Sequence, residues 1–290
     1  MSDVRAPVPA PVRRFTTRQQ VSLGWAFVER QKNLWKRHWA WEIVWLVYGI
    51  VTSLSVAYIA LGAPAITGGG LAQADVSRFV LYLLVGTITW RFLGLIFEQM
   101  GETIAWERWE GTIEYTFMAP VPRITHLAGM CGATLVRALG FSVAILAAVA
   151  LFVPVDLSHA NVASALALLA TGAVAFIGLA IGSAVFPLLW TEKGLQMAYI
   201  VQAVVLLVSG VYYETTILPA WMQVLSFISP ATYVIRGMRA ALLDGADLAA
   251  VWPNLWPALL VGAVSIPLGL RIFLWAERHA KRTGRLKRSG

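Results

Sequence analysis

Six stretches of this chain, at about 41–62, 79–100, 126–153, 162–188, 196–213 and 254–275, are long runs of mostly apolar residues. An α-helix needs roughly 20 such residues to cross the hydrocarbon core of a bilayer. Runs this long and this numerous have no place in a soluble core of 290 residues. Composition agrees, since 58% of the residues are hydrophobic and only 13% are charged, against about a quarter charged in soluble domains. The expected fold is an all-α polytopic membrane protein with six transmembrane helices. Gly178, Gly182, Pro257 and Pro267 fall inside the runs, where a bundle tolerates them. Trp39, Trp41, Trp45, Trp190, Trp221, Trp252, Trp256 and Trp275 cluster near run ends, as an interfacial aromatic belt would.

The net charge of +8 is a matter of membrane orientation, not of nucleic-acid binding. Its basic residues gather at the ends: Arg5, Arg13, Arg14, Arg18, Arg30, Lys32, Lys36 and Arg37 before the first run, and Arg278, Lys281, Arg282, Arg285, Lys287 and Arg288 after the last. Basic flanks stay in the cytoplasm, so both termini are expected there, which requires an even number of spans. The connection at 63–78 holds only Arg78, and that at 154–161 holds neither Lys nor Arg, as outer loops should. Residues 1–18 are expected to be a disordered Pro-rich cytoplasmic arm without a signal peptide, because no apolar region with a cleavage site follows Arg13-Arg14. The transmembrane domain is placed at 19–275 and a basic cytoplasmic tail at 276–290.

Three segments outside the simple spans carry more information. Residues 19–39 place Val21, Trp25, Val28, Trp35 and Trp39 on one helical face, with Lys32 among them, which predicts an N-terminal interfacial helix. Residues 101–120 read as a cytoplasmic amphipathic helix, with Trp106, Trp109, Ile113 and Phe117 on one face and Glu107, Arg108 and Glu114 mostly away from it. Pro120 and Pro122 end it. The stretch 214–240 is apolar, but it contains Glu214, Pro219, Pro230, Arg236 and Arg239. A seventh span would leave one basic end outside, so a re-entrant pair of short helices in the outer leaflet is expected between spans five and six.

Charges inside spans are costly and mark functional or interhelical contacts. Arg91 and Glu98 lie seven residues apart on one face of the second run, Arg137 lies in the third, and Glu42 lies near the start of the first. Arg91 and Glu98 could pair with each other or with other helices. Arg91 and Arg137 stand equally as structural contacts or as the lining of a substrate route. The single Cys131 permits no internal disulfide, and His38, His126, His159 and His279 all sit at span ends or in tails. No metal or haem site is expected. No Gly-Lys dipeptide occurs, so the chain has no Walker-type phosphate loop.

Two runs taken together resemble a known family. Glu107-Arg-Trp-Glu-Gly-Thr-Ile-Glu, ending at Pro120-Val-Pro-Arg123, resembles the cytoplasmic "E-x-G-T-[LI]-E … P" segment of ABC-2 type transporter permeases. Ser209-Gly, Leu218-Pro-Ala-Trp221, Pro230-Ala-Thr-Tyr233 and Arg236 resemble that family's "SG … LP-x-W … P-x-T-Y … R" region. Tyr212-Tyr213-Glu214 departs from the Phe-Pro common there. The resemblance implies a permease subunit of an ATP-driven exporter of amphiphilic, lipid-, glycan- or drug-like substrates. It implies a separate cytoplasmic ABC ATPase that binds the ATP and Mg, and a second permease subunit, identical or different. It also implies a coupling helix in which Glu107, Arg108, Glu110, Gly111, Thr112 and Glu114 meet the ATPase. The expected location is the inner membrane of a prokaryote. An ion-coupled secondary transporter would show repeated halves, and a lipid-modifying enzyme would gather catalytic polar groups; the sequence offers neither.

Overall fold

The computed structural model describes residues 16–66 and 73–284, so most of the arm expected at 1–18 and the end of the tail lie outside the described residues. The described residues form helices and connecting turns, without strands, in the order α1 (Thr17–Arg37), α2 (Trp39–Leu61), α3 (Ala63–Ile66), α4 (Gln73–Glu110), α5 (Ile113–Met118), α6 (Arg123–Ala150), α7 (Val162–Ser183), α8 (Val185–Leu189), α9 (Gly194–Val208), a 3₁₀ turn (Thr215–Ile217), α10 (Ala220–Ile228), α11 (Pro230–Leu243) and α12 (Leu248–Arg282). Among the described residues five helices are long and apolar enough to cross a membrane: Trp39–Leu61, Asp75–Glu110, Arg123–Ala150, Val162–Leu189 and Leu248–Arg282. The run expected as the fifth of six spans becomes the 15-residue α9. It stops early because Ser209 and Gly210 turn the chain, with Gly210 in the left-handed region at φ 69°.

Helix α4 is the centre of the bundle, packing against α2, α6, α7, α9 and α11. The main core surrounds it, with Phe92, Leu93 and Ile96 meeting Leu168, Phe176, Val234 and Ile235. The tightest pair is α7 with α12. A Cβ on Gly178 would lie 2.1 Å from the Ser265 hydroxyl and 2.6 Å from the Ile266 amide nitrogen, and one on Gly269 would lie 2.5 Å from the Gly178 carbonyl oxygen. Small residues let the two backbones touch, which is the usual basis of close helix pairs in lipid.

The expected N-terminal helix is present, and a capping box fixes its start: Thr16 Oγ1 accepts from the Gln19 amide while Gln19 returns the bond. Its protein-facing side differs from the predicted stripe. It meets α6 through Gly24 and Phe27, because Gly129 lacks a Cβ that would stand 2.5 Å from the Gly24 carbonyl oxygen and 2.8 Å from the Phe27 Cβ, while Gln31 donates to Thr103 of α4 at 3.3 Å. Val21, Trp25 and Trp39 stay exposed.

Two element ends run past the apolar runs that predicted them. The amphipathic segment expected as a separate helix at 101–120 is instead split. Its first half continues α4 to Glu110, since nothing before Gly111 breaks the helix; Gly111, at φ 75°, then turns the chain into α5. Likewise the tail expected from 276 is helical to Arg282, with Ala276, Glu277 and Ala280 buried. The stretch expected to hold a re-entrant pair forms the helices α10 and α11, with Pro219 just before the first and Pro230 opening the second.

Candidate functional site

The corner between α4 and α6 is built by three internal locks. Glu107, 2% exposed, binds Arg30 of α1 at 2.6 Å. Arg108, equally buried, donates from Nη1 to Thr191 Oγ1 at 2.9 Å and from Nη2 to the Leu188 carbonyl at 2.7 Å, which ties the corner to the end of α8. Arg123, the first residue of α6, grips Glu277 of α12 with both Nε (3.0 Å) and Nη2 (2.7 Å) while its guanidinium stacks 4.5 Å above Phe117. A two-pronged arginine–carboxylate contact is both strong and orienting. Lys281 adds a second cation to Glu277 at 2.8 Å.

These locks change the part expected of the sequence-predicted residues. Glu107 and Arg108 face inward, not toward a partner. Thr112 is consumed in the turn, where its amide and hydroxyl both donate to the Glu107 carbonyl at 2.8 and 3.3 Å. Gly111 supplies the turn. Of the six residues, Glu110 is fully on the surface and Glu114 partly so, beside exposed Trp109, Tyr115 and Met118. The predicted stripe is broken, because Ile113 and Phe117 form the buried face of α5 while Trp109 points out. Arg123 and Glu277 were missed as a pair. The only hint was a basic residue directly after Pro120-Val-Pro122, and Glu277 fell in an assumed tail.

The intramembrane charges are drawn together by helices the sequence could not order. Arg137 of α6 donates from Nε to Glu42 of α2 at 2.8 Å and from Nη1 to Gln99 of α4 at 2.9 Å. Glu98 accepts from Gln202 Nε2 of α9 at 2.7 Å rather than from Arg91. One turn along, Tyr199 donates to Glu102 at 3.0 Å. Arg91 lies 5.9 Å from the Tyr48 ring, and its buried Nε has no hydrogen-bond partner among the described residues.

The residues expected in the re-entrant segment form a structural clasp around Arg239. Arg239 stacks 3.5 Å over the Tyr82 ring and donates to the carbonyls of Gly210 (2.9 Å) and Val211 (2.6 Å), binding α11 to α4 and to the turn after α9. Ser209 and Ser229 hydroxyls meet at 2.7 Å, and Tyr233 donates to the Phe227 carbonyl at 2.8 Å. Glu214, Trp221 and Arg236 remain exposed, with Arg236 3.5 Å from Thr215 Oγ1.

The family model described as ABC-2 type transporter matches residues 23–243, from within α1 to the end of α11. The chain belongs to the ABC-2 type transporter family. It is similar to the inner membrane transport permease YadH of Escherichia coli K12, at 26% identity over 224 residues, covering 74% of this chain and 85% of the relative. The protein of the same name from Shigella flexneri matches to the same extent. The matched region of this ABC-2 permease contains the α4–α5 corner and the Arg239 clasp but not α12, so the Arg123–Glu277 lock joins the matched segment to a helix beyond it. Among the described residues no group of three or more His, Cys, Asp or Glu side chains could hold a metal ion. Its family, with five helices among the described residues able to cross a membrane, makes the chain a membrane transport permease.

Proposed function

We propose that this permease is the membrane half of an ATP-driven exporter, pushed at the α4–α5 corner by a separate ABC ATPase that carries the ATP and Mg. The observation that carries this reading is the corner itself. It leaves Glu110 and Glu114 outward while Glu107, Arg108 and Arg123 weld it to α1, α8 and α12. Force applied at such a corner reaches several spans at once, because α4 is one unbroken helix from the corner to the bundle centre. Two permease subunits with two ATPases, moving an amphiphilic, lipid-, glycan- or drug-like substrate outward, complete the proposal.

In this reading α9 is a fifth of six spans. At about 1.5 Å per residue it is roughly 22 Å long, short of a hydrocarbon core of about 30 Å. The turn at 209–213 and the α10–α11 pair supply the remaining depth from the outer side. Both termini are then cytoplasmic, which fits the basic ends. In a Cys131→Ala background, cysteines at Ala160 and Thr215 should react with an impermeant thiol reagent on intact cells, and one at Gly284 should not. Labelling at Gly284 would defeat the six-span arrangement.

The coupling proposal is tested by reversing the two outward carboxylates. Glu110→Arg with Glu114→Arg sets like charge against a complementary surface, which costs several kcal/mol at close contacts. The expected result is a permease that folds and inserts normally but binds its ATPase at least about tenfold more weakly, equivalent to ~1.4 kcal/mol. Transport should fall with it. Asp75→Arg, exposed at the opposite end of α4, is the matched control. Unchanged ATPase pairing and unchanged substrate-stimulated hydrolysis in the double variant would refute this site.

A further inference from the structure

Helices α1, α2 and α4 enclose a cleft of about 470 Å³ beside the corner. Its walls hold Trp35 from α1, Trp41 and Trp45 from α2, and Trp106 and Trp109 from α4. The last two meet at 5.2 Å between ring centroids, tilted by 55°. Indole is the aromatic ring that attracts cations most strongly, through the negative face of its quadrupole.

The charges of the cleft are unequal. Three carboxylates line it, those of Glu42, Glu102 and Glu107, against two guanidiniums, those of Arg30 and Arg137. Both guanidiniums are already committed: Arg30 holds Glu107 and Arg137 holds Glu42. Glu102 is left with the Tyr199 hydroxyl as its partner and with no cation among the described residues. It lies one turn before Trp106 on α4, so the carboxylate and the indole share a side of the helix. The walls of the cleft also supply apolar surface, Leu34 from α1 and the indoles of Trp41 and Trp45 from α2, which suits a hydrocarbon tail.

We propose that this cleft binds an amphiphilic organic cation, with its quaternary or protonated nitrogen, or an equivalent onium centre, held among the indoles near Glu102 and its apolar part along α2. An anion would meet an excess of carboxylate and two neutralised arginines. A neutral apolar molecule would leave Glu102 without a counter-charge. The inference rests on the transport reading only for what happens to the cation afterwards, not for its binding.

The test uses the full-length chain purified in detergent with whatever subunits accompany it, and needs no ATP. Tetraphenylphosphonium and tetraphenylborate have nearly the same shape and opposite charge. Equilibrium dialysis should show saturable binding of the phosphonium and markedly weaker binding of the borate. Glu102→Gln and Trp106→Ala should each weaken phosphonium binding about tenfold, while Trp275→Ala, an exposed indole on α12, should leave it unchanged. Tyr199→Phe, which frees the carboxylate from its hydroxyl partner, should not weaken it, and a melting curve on each variant separates lost binding from lost folding. Displacement of the phosphonium by dihexanoylphosphatidylcholine assigns the cation to a lipid headgroup, and absence of displacement assigns it to a free amphiphile; either outcome supports the cation site. Equal binding of phosphonium and borate, or a folded Glu102→Gln variant with unaltered affinity, would overturn it. Failure of any ATPase subunit to pair with the chain would count against the transport reading alone and leave this site standing.

Discussion

Gly178→Leu should leave almost no folded permease, the largest effect expected of any single substitution in the chain. The position is closed by backbone rather than by movable side chains. A Cβ there would stand 2.1 Å from the Ser265 hydroxyl, 2.6 Å from the Ser265 carbonyl carbon and 2.6 Å from the Ile266 nitrogen. Relief requires α12 to move as a body, which would break the Ser265 hydroxyl bond to the Ala175 carbonyl and open the packing at Gly262 and Gly269. Overpacked cores lose about 1–3 kcal/mol when side chains can adjust, and here they cannot, so the loss should exceed that range. Gly140→Leu on α6, where nothing lies within 4 Å, is the control for simply adding bulk. Gly182→Ala, whose nearest neighbour would be at 3.9 Å, should be tolerated. The measurements are the monodisperse fraction after extraction and the melting temperature. A Gly178→Leu protein as stable as its Gly140→Leu counterpart would mean that α7 and α12 do not meet as described.

This seam shows both the reach and the limit of the sequence. Gly178 and Gly182 are visibly four apart, yet sequence reading treats them only as glycines a span can tolerate. Their use depends on Gly262, Ser265 and Gly269 arriving on a helix more than 80 positions later, about which spacing within α7 says nothing. Span positions were legible because each reflects a local length of apolar chain: the run at 41–62 is the helix Trp39–Leu61, and that at 162–188 is covered by α7 and α8. Helix ends were less legible. Apolarity reports where lipid ends, whereas a helix continues until its backbone is turned, at Gly111 for α4 and after Arg282 for α12.

The corner was legible as a motif but only partly as geometry. Of the charges expected to lie away from the indoles, only Glu114 is even partly exposed, while Glu110, at the border of the stripe, is exposed. Glu107 and Arg108 point toward α1 and α8, elements whose neighbourhood is set by tertiary packing. Glu98 similarly finds Gln202 on α9, so seven-residue spacing to Arg91 was no guide to its partner. Both failures have one cause. A polar group in a bundle must be satisfied by something, and the sequence states that need without stating which helix answers it.

Arg137 is where that need has the clearest energetic consequence. Sequence reading leaves it open whether Arg91 and Arg137 are structural or line a substrate route, and the two differ in their hydrogen bonds. Arg137 links three helices, through Glu42 on α2 and Gln99 on α4 from its own place on α6, with its side chain 10% exposed and that of Glu42 24% exposed. Its guanidinium also lies 5.0 Å over the Phe141 ring. Removing one member of a buried pair strands the other charge and costs about 3–5 kcal/mol; the partial exposure of Glu42 lowers the expectation to about 2 kcal/mol. Arg137→Leu should therefore melt well below the parent protein. Glu42→Leu made alone should be similarly damaging, because it strands the arginine instead. The double variant should recover most of the loss, since apolar replacement of a whole buried pair is often close to neutral. Arg91→Leu is the contrasting case: it removes a buried Nε that has no hydrogen-bond partner among the described residues, so it should be no less stable than the parent. The measurement is a double-mutant cycle on thermal or denaturant unfolding of the purified permease. Additive losses from Arg137→Leu and Glu42→Leu, or an Arg91→Leu protein as unstable as Arg137→Leu, would show that the three-helix link does not hold the bundle together.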